Sequence, residues 1–255
     1  MRLKYDDSVV AFLDVLGFSN FLYGKNNKEK TKNKQKLEQY FCILLKSISS
    51  LTEKKEKLTS VLISDSVVLQ MPEVSLSSVK NICHAVAKIQ ADLAEIDIWL
   101  RGGISTGDFA YKKVYGAQIL VGSGIANAYA LESKHAQYPR VIVDPKIFRK
   151  LKGDRKSLTK DLLLCDFTDK EALTILNTPL IADAIWVDYA SLIFEETNKL
   201  EKVIQNLRED LYSGQEHYLK YLWVRDYLIS RMGLYKDKYA RSGYFSPILS
   251  QLEDL

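Results

Sequence analysis

Cysteine, histidine and proline are scarce in this chain: three, three and five among 255 residues. Cys42, Cys83 and Cys165 stand far apart, each among apolar neighbours. That spacing excludes a disulfide framework or a paired-cysteine zinc site, and predicts three small core residues in a reducing compartment. His84, His135 and His217 show no ligand spacing either. No apolar run is long enough to cross a membrane, and the charged start MRLKYDD is unlike a signal peptide, so the expectation is a cytoplasmic protein without a membrane partner. A strong excess of one charge is also missing. The formal net charge of +4 is too small to argue for nucleic acid, and the locally basic run from Lys25 to Lys36 carries no interleaved aromatics. It reads as a solvated loop leading into a helix, or secondarily as a steering patch for an anionic substrate. Internal repeats and low-complexity segments are absent.

What remains is an ordinary globular composition, 47% hydrophobic and 27% charged, long enough for one large domain or a domain with an appendage. The stretch that organises it is VVAFLDVLGF, residues 9–18. A short run this apolar and β-branched predicts a strand buried on both faces. Asp is seldom buried without a partner or a metal, which places Asp14 near the strand's end. Gly17 permits a sharp turn, and a helix can begin beyond it. Backbone N–H groups at Phe18 and Ser19 would then converge with the carboxylate, an arrangement suited to a cation and a polyphosphate. A helix-capping Asp is the plain alternative.

Downstream, Leu37, Tyr40, Phe41, Leu44, Leu45, Ile48 and Leu51 form one apolar stripe and predict a helix over about 33–51. LTSVLISDSVVLQM reads as a tight hairpin with Ser64-Asp65-Ser66 at its tip, where Asp65 is either a turn residue or a second ligand. A second amphipathic helix is expected over about 76–94. IWLRGGISTG then predicts a strand, Gly107-Asp108 a turn, and FAYKKVYG a returning strand. Residues 117–133 read as a short strand, a glycine turn and a helix from about Ser123, followed by a strand over 139–143. Strands near 162–167 and 173–177 extend the set. This order predicts an α+β fold: a ferredoxin-like, mostly antiparallel sheet with helices on one face. The first strand and the hairpin are commonly neighbours in such a sheet, bringing Asp14 and Asp65 to one end. Two close carboxylates repel unless cations sit between them. From residue 181 the pattern turns helical. SGQE at 213–216 reads as a capping box, and the Tyr- and Trp-rich helix that follows reads as core or a dimer surface. We expect one domain over 1–180 and a helical C-terminal extension over 181–255.

Together, FLDVLGF, SDSVV, LRGGISTG and VGSGIANAYALE resemble the class III nucleotidyl cyclases, most closely the pyrimidine cyclases of bacterial antiphage (Pycsar) systems. The resemblance covers roughly residues 8–145, and KYLWVRDY is similar to the helical tail of those enzymes. It implies that Asp14, Asp65 and the carbonyl of Val15 hold two Mg²⁺ or Mn²⁺ ions. Leu16, Gly17, Phe18 and Ser19 would cradle phosphates through their N–H groups. The ribose 3′-oxygen would attack the α-phosphorus in line, releasing pyrophosphate. The site would lie between the two subunits of a homodimer. The polar pair by which purine cyclases select their base is replaced by Thr59 and Ile119, which favours UTP, or CTP, over ATP and GTP. The Asn and Arg that the family offers to ribose and triphosphate fall on Ala126 and Ala130. Asn127 is one residue late, about 100° around the helix. Arg101, Lys134 and Arg140 are the candidate replacements, with Arg101 on the strand face away from the presumed core. The implied product is a cyclic pyrimidine nucleotide read by a separate effector protein. The alternatives are a purine cyclase and a catalytically silent cyclase-like dimer that binds nucleotide.

Overall fold

The structure is a computed structural model describing residues 2–23, 26–52, 58–151, 162, 164–166, 185–212, 218–239 and 250–255. Its first half follows the expected order: β1 (Asp6–Val15), α1 (Ser19–Leu22), α2 (Asn27–Thr52), β2 (Thr59–Ile63), β3 (Ser66–Pro72), α3 (Leu76–Ala94) and β4 (Leu100–Val114). The strands line up as β2-β3-β1-β4, and β1 is antiparallel to both neighbours. That is the ferredoxin-like arrangement. The sheet continues through β6 (Val141–Val143) and β8 (Ile185–Val187) to β7 (Leu164–Asp166), while β5 (Ala117–Val121) pairs only with β4.

β1 is central because its side chains are apolar on both faces. Val9, Ala11 and Leu13 pack with Tyr40, Leu44 and Ile48 of α2 and with Val79, Ile82 and Val86 of α3. Val10 and Phe12 point the other way, toward Val61, Val68, Phe109 and Ala128. Ala128 belongs to α4 (Ser123–His135), so this helix covers the second face of the sheet, across β1 and β4. Two β4 glycines permit the close approach. A Cβ on Gly103 would stand 2.3 Å from the Ala128 carbonyl oxygen, and one on Gly107 would stand 2.5 Å from Ser123 Oγ.

Gly107 therefore serves helix packing, and the turn expected at Gly107-Asp108 does not form. β4 runs on in register with β1 through Ser8↔Gly107 and Asp6↔Phe109. The reversal comes at Tyr115 and Gly116, whose φ values of 50° and 80° suit a tight hairpin turn. β4 and β5 thus form an arm with Tyr115 fully exposed at its tip.

Beyond β6 come α5 (Lys146–Leu151), α6 (Ala190–Phe194), α7 (Thr197–Tyr212) and α8 (Tyr218–Tyr239). β8 was not expected, since it lies in the segment read as helical. The expected boundary at 180/181, the strand at 173–177 and the capping box at 213–216 lie outside the described residues. Trp223, Val224, Tyr227 and Leu228 of α8 join the same apolar core as β1 and α3. Cys83 and Cys165 are buried as expected, but Cys42 is exposed on α2. Among the described residues no helix is long and apolar enough to cross a membrane.

Candidate functional site

One end of the sheet gathers charged side chains from four elements. β1 ends at Val15, and Gly17 turns the chain with φ 72°, a left-handed conformation that glycine adopts without strain. α1 begins two residues later. Beside it, Ser64 and Asp65 form the two-residue loop between the paired residues Ile63 and Ser66, with Ser64 at φ 59°.

The register fixes what Asp14 meets. Leu13 pairs with Val67, which sets Ser66 alongside Asp14 on one side. Arg101 is its direct partner on the other. Ser66 Oγ donates to Asp14 Oδ1 at 3.4 Å, and Arg101 Nε and Nη2 donate to Asp14 Oδ2 at 3.2 and 3.1 Å. Burial pushes the Asp14 carboxyl above its usual range, Arg101 opposes that, and the nearby charge of Asp65 adds to it. The Tyr40 hydroxyl donates to the Asp65 carbonyl at 3.4 Å. Its own pKa is raised by burial and then by the charges of Asp65 and Asp14.

A third carboxylate belongs to this group. Glu132, on α4, is 3% exposed. Its Oε1 lies 2.8 Å from Arg101 Nε, as an ion pair. The approach is not aligned as a hydrogen bond, and Oε1 has no hydrogen-bond partner. Burial raises the Glu132 carboxyl, Arg101 lowers it, and Asp14 and Asp65 raise it further. Sequence reasoning passed over Glu132. The available signal was its place on the stripe Gly124, Ala128, Glu132, four residues apart. These are the three buried positions of α4, and a Glu continuing a buried face implies a cation opposite.

The donors suit a hard divalent cation. Asp14, Asp65 and the Val15 carbonyl are all oxygen ligands. Leu16 N–H bonds the Trp99 carbonyl at 2.9 Å. The alternation of an antiparallel ladder therefore turns the preceding Val15 carbonyl away from β4, toward the hairpin that bears Asp65. Three carboxylates, Asp14, Asp65 and Glu132, thus lie within electrostatic range of one guanidinium, that of Arg101. Among the described residues no three His, Cys, Asp or Glu side chains form a ready-made metal cluster. A Mg²⁺-type site supplied by two carboxylates and a substrate's phosphates does not need one.

Other expected residues are placed less favourably. Leu16 differs from expectation, because its N–H is spent on Trp99 and is not free for a phosphate. Gly17 and Ser19 lie at the turn, and Phe18 is buried. Arg101 was expected to reach freely for a ligand; instead it is bound to Asp14 and Glu132. Thr59 pairs with Gln70 and thus shares a row with Val10, four residues and about 13 Å along the strand from Asp14. Ile119 pairs with Lys112, far out on the arm. Within one chain neither reaches Asp14. Asn127 donates to the Thr106 carbonyl at 3.3 Å. Lys134 is exposed. Arg140 leaves the list of candidates: it is buried, donates to the His135 carbonyl at 3.1 Å, and sits 5.3 Å from the Trp186 ring.

No family model and no curated protein matches the chain. Among solved structures it is similar to the guanylyl cyclase Cya2, with a TM-score of 0.46 and 14% identity over 73% of this chain and 93% of that one. It is also similar to the adenylyl cyclase CyaB from P. aeruginosa, with 0.48 and 14% over 73% and 95%. A third is the non-canonical dimeric guanylyl cyclase domain of a RhoGC fusion protein from the aquatic fungus Blastocladiella emersonii, with 0.41 and 16% over 57% and 84%. Likeness at this level says nothing of substrate or activity.

Proposed function

We propose that this chain is a metal-dependent nucleotide cyclase that converts UTP, or CTP, to the 3′,5′-cyclic nucleotide and pyrophosphate. One observation carries the reading. Two carboxylates from separate elements, Asp14 at the end of β1 and Asp65 at the tip of the β2–β3 hairpin, lie within electrostatic range of each other beside a glycine turn. Mutual repulsion makes this costly for structure alone.

In this reading Asp14, Asp65 and the Val15 carbonyl would hold two Mg²⁺ or Mn²⁺ ions. Such ions lower the pKa of the ribose 3′-hydroxyl and neutralise the leaving pyrophosphate. The chain's own part is positional. The turn at Gly17, Phe18 and Ser19 seats phosphate oxygens against backbone. Asp14 is held in place by Ser66 and Arg101, and Asp65 by the two-residue loop. Ile119 meets a base only when the arm of a second copy supplies it, so the working unit is a homodimer. Neither Thr59 nor Ile119 offers the polar pair of a purine site, which favours a pyrimidine. We assign the product to signalling through a separate effector in antiphage defence.

One observation favours a second reading, a silent nucleotide-binding dimer: Arg101 occupies the Asp14 oxygen that a cation would need. Incubation of the purified protein with each radiolabelled nucleoside triphosphate and Mn²⁺, followed by chromatography, separates these possibilities. A cyclic pyrimidine supports the proposal, cAMP or cGMP replaces it with a purine cyclase, and no product leaves the silent dimer. Asp14→Ala and Asp65→Ala should each lower turnover by at least about a hundredfold with an unchanged circular dichroism spectrum. Full turnover in either variant rejects the ligand assignment.

A further inference from the structure

We infer that Arg101 is a two-position cation: it neutralises Asp14 in the nucleotide-free chain and transfers to Glu132 when a divalent cation takes Asp14. The inference rests on Asp14 being a cation ligand, and adds to that reading a built-in competitor and a residue that receives it.

Arg101 now places two donors on one Asp14 oxygen, at 3.2 and 3.1 Å. A divalent cation needs that oxygen's lone pairs, and two positive groups at such range repel. The guanidinium must therefore leave Asp14 for metal to enter. Its destination is already beside it. Glu132 Oε1 is 2.8 Å from Arg101 Nε, yet lacks a hydrogen bond although the residue is 3% exposed. Leaving a buried carboxylate oxygen unsatisfied is costly. Rotation of the guanidinium off Asp14 would turn the unaligned contact into a two-pronged Arg–carboxylate pair, the strongest geometry that either group can make. The alignment gained at Glu132 thus offsets part of the cost of releasing Asp14.

Glu132 is fixed well enough to act as the receiver. Gly124, Ala128 and Glu132 are the buried positions of α4, and the Ala128 backbone lies directly over Gly103. Glu132 therefore stays in place when Arg101 moves. It touches neither metal nor nucleotide in this scheme and is a positioning residue that works through Arg101.

The test is Mn²⁺ binding to the full-length, nucleotide-free protein, read from the electron paramagnetic resonance signal of free Mn²⁺. Arg101→Met should tighten binding by about tenfold, since the competitor is gone. Glu132→Gln should weaken it by about fivefold, since the displaced guanidinium has no partner. In the Arg101→Met background, Glu132→Gln should change the affinity by less than about twofold. A Glu132→Gln loss of the same size in both backgrounds overturns the inference, because Glu132 would then act on the metal directly. Arg101→Met binding no tighter than wild type overturns it as well. Absence of Mn²⁺ binding in both wild type and Arg101→Met overturns the cation reading of Asp14 itself, and is distinguishable for that reason. Where Arg101→Met does not fold, the wild type still decides: the Arg101 Nε–H resonance should shift on addition of Mg²⁺, and in Glu132→Gln the shift should need about fivefold more Mg²⁺. An unmoved wild-type resonance at saturating Mg²⁺ rejects the transfer.

Discussion

At the scale of single residues, the site was half legible. Asp14 announced itself as a charge inside an apolar strand and Asp65 as an acid at a hairpin tip, and both stand where that logic put them. Arg101 was picked out by strand alternation alone, which gives the face but not the partner. Its bonds to Asp14 and Glu132 depend on register across three elements, and no local pattern encodes them. The glycines of LRGGISTG show the same limit. Their scarcity of side chain was visible, but that α4 would lie over Gly103 and Gly107 was not. We expect Gly103→Ala to cost roughly 1–3 kcal/mol in urea unfolding, because its Cβ would meet the Ala128 carbonyl oxygen at 2.3 Å, backbone that cannot swing aside. The displaced α4 carries Glu132, so the same variant should weaken Mn²⁺ binding. A variant of unchanged stability would mean that α4 does not sit on the sheet as described.

At the scale of elements, periodicity was a good guide where a face is apolar over several turns. α2 extends to Asn27–Thr52, beyond the expected 33–51, because its first turns are polar and solvated. α3 matches the expected span, and Ser75 caps it by accepting the Ser78 N–H at 3.1 Å. β8 escaped because three residues carry no period. Contacts between α7 and the α3–β4 turn were equally invisible, since they join positions over a hundred residues apart. Asp97 bonds Lys36 at 2.8 Å and accepts from Trp99 Nε1 at 2.9 Å. Burial and then Asp97 raise the Asp210 carboxyl on α7 to about 7, against the opposing effects of Lys36 and Tyr221. Unfolded, an Asp ionises near 3.9. Between about pH 4 and about 7, the folded chain therefore keeps a proton on Asp210 that the unfolded chain has lost. This contribution to stability falls as pH rises across that window, and is constant above it. Thermal unfolding at pH 5 and pH 7.5 should show a drop in midpoint that Asp210→Asn reduces, because the amide cannot ionise. An equal drop in both proteins would assign the pH dependence to other groups.

At the scale of the whole molecule, the sequence suggested a catalytic domain over 1–180 followed by a helical extension, a division drawn where the pattern turns helical. The packing joins them. The β6–β8–β7 edge extends the ferredoxin-like sheet into the C-terminal half, and α8 lays Trp223 and Tyr227 against Trp186 and Tyr189, with ring centroids at 6.1 and 5.0 Å. At the junction Asp188 is 1% exposed. It accepts from the Tyr227 hydroxyl at 2.7 Å, from Arg231 Nε at 3.0 Å and from the Ala190 N–H at 3.2 Å. Burial lowers the pKa of Arg231, but Cys165, Asp188 and Tyr227 together raise it above its already high value. Asp188→Asn takes the charge from one half of a buried ion pair with Arg231, so it should cost about 3 kcal/mol. Because sheet and α8 share one core, the loss should appear as a downward shift of a single calorimetric transition for the entire chain. Two transitions with only one displaced would mean that the C-terminal helices fold apart from the sheet, and that the sheet stands without them.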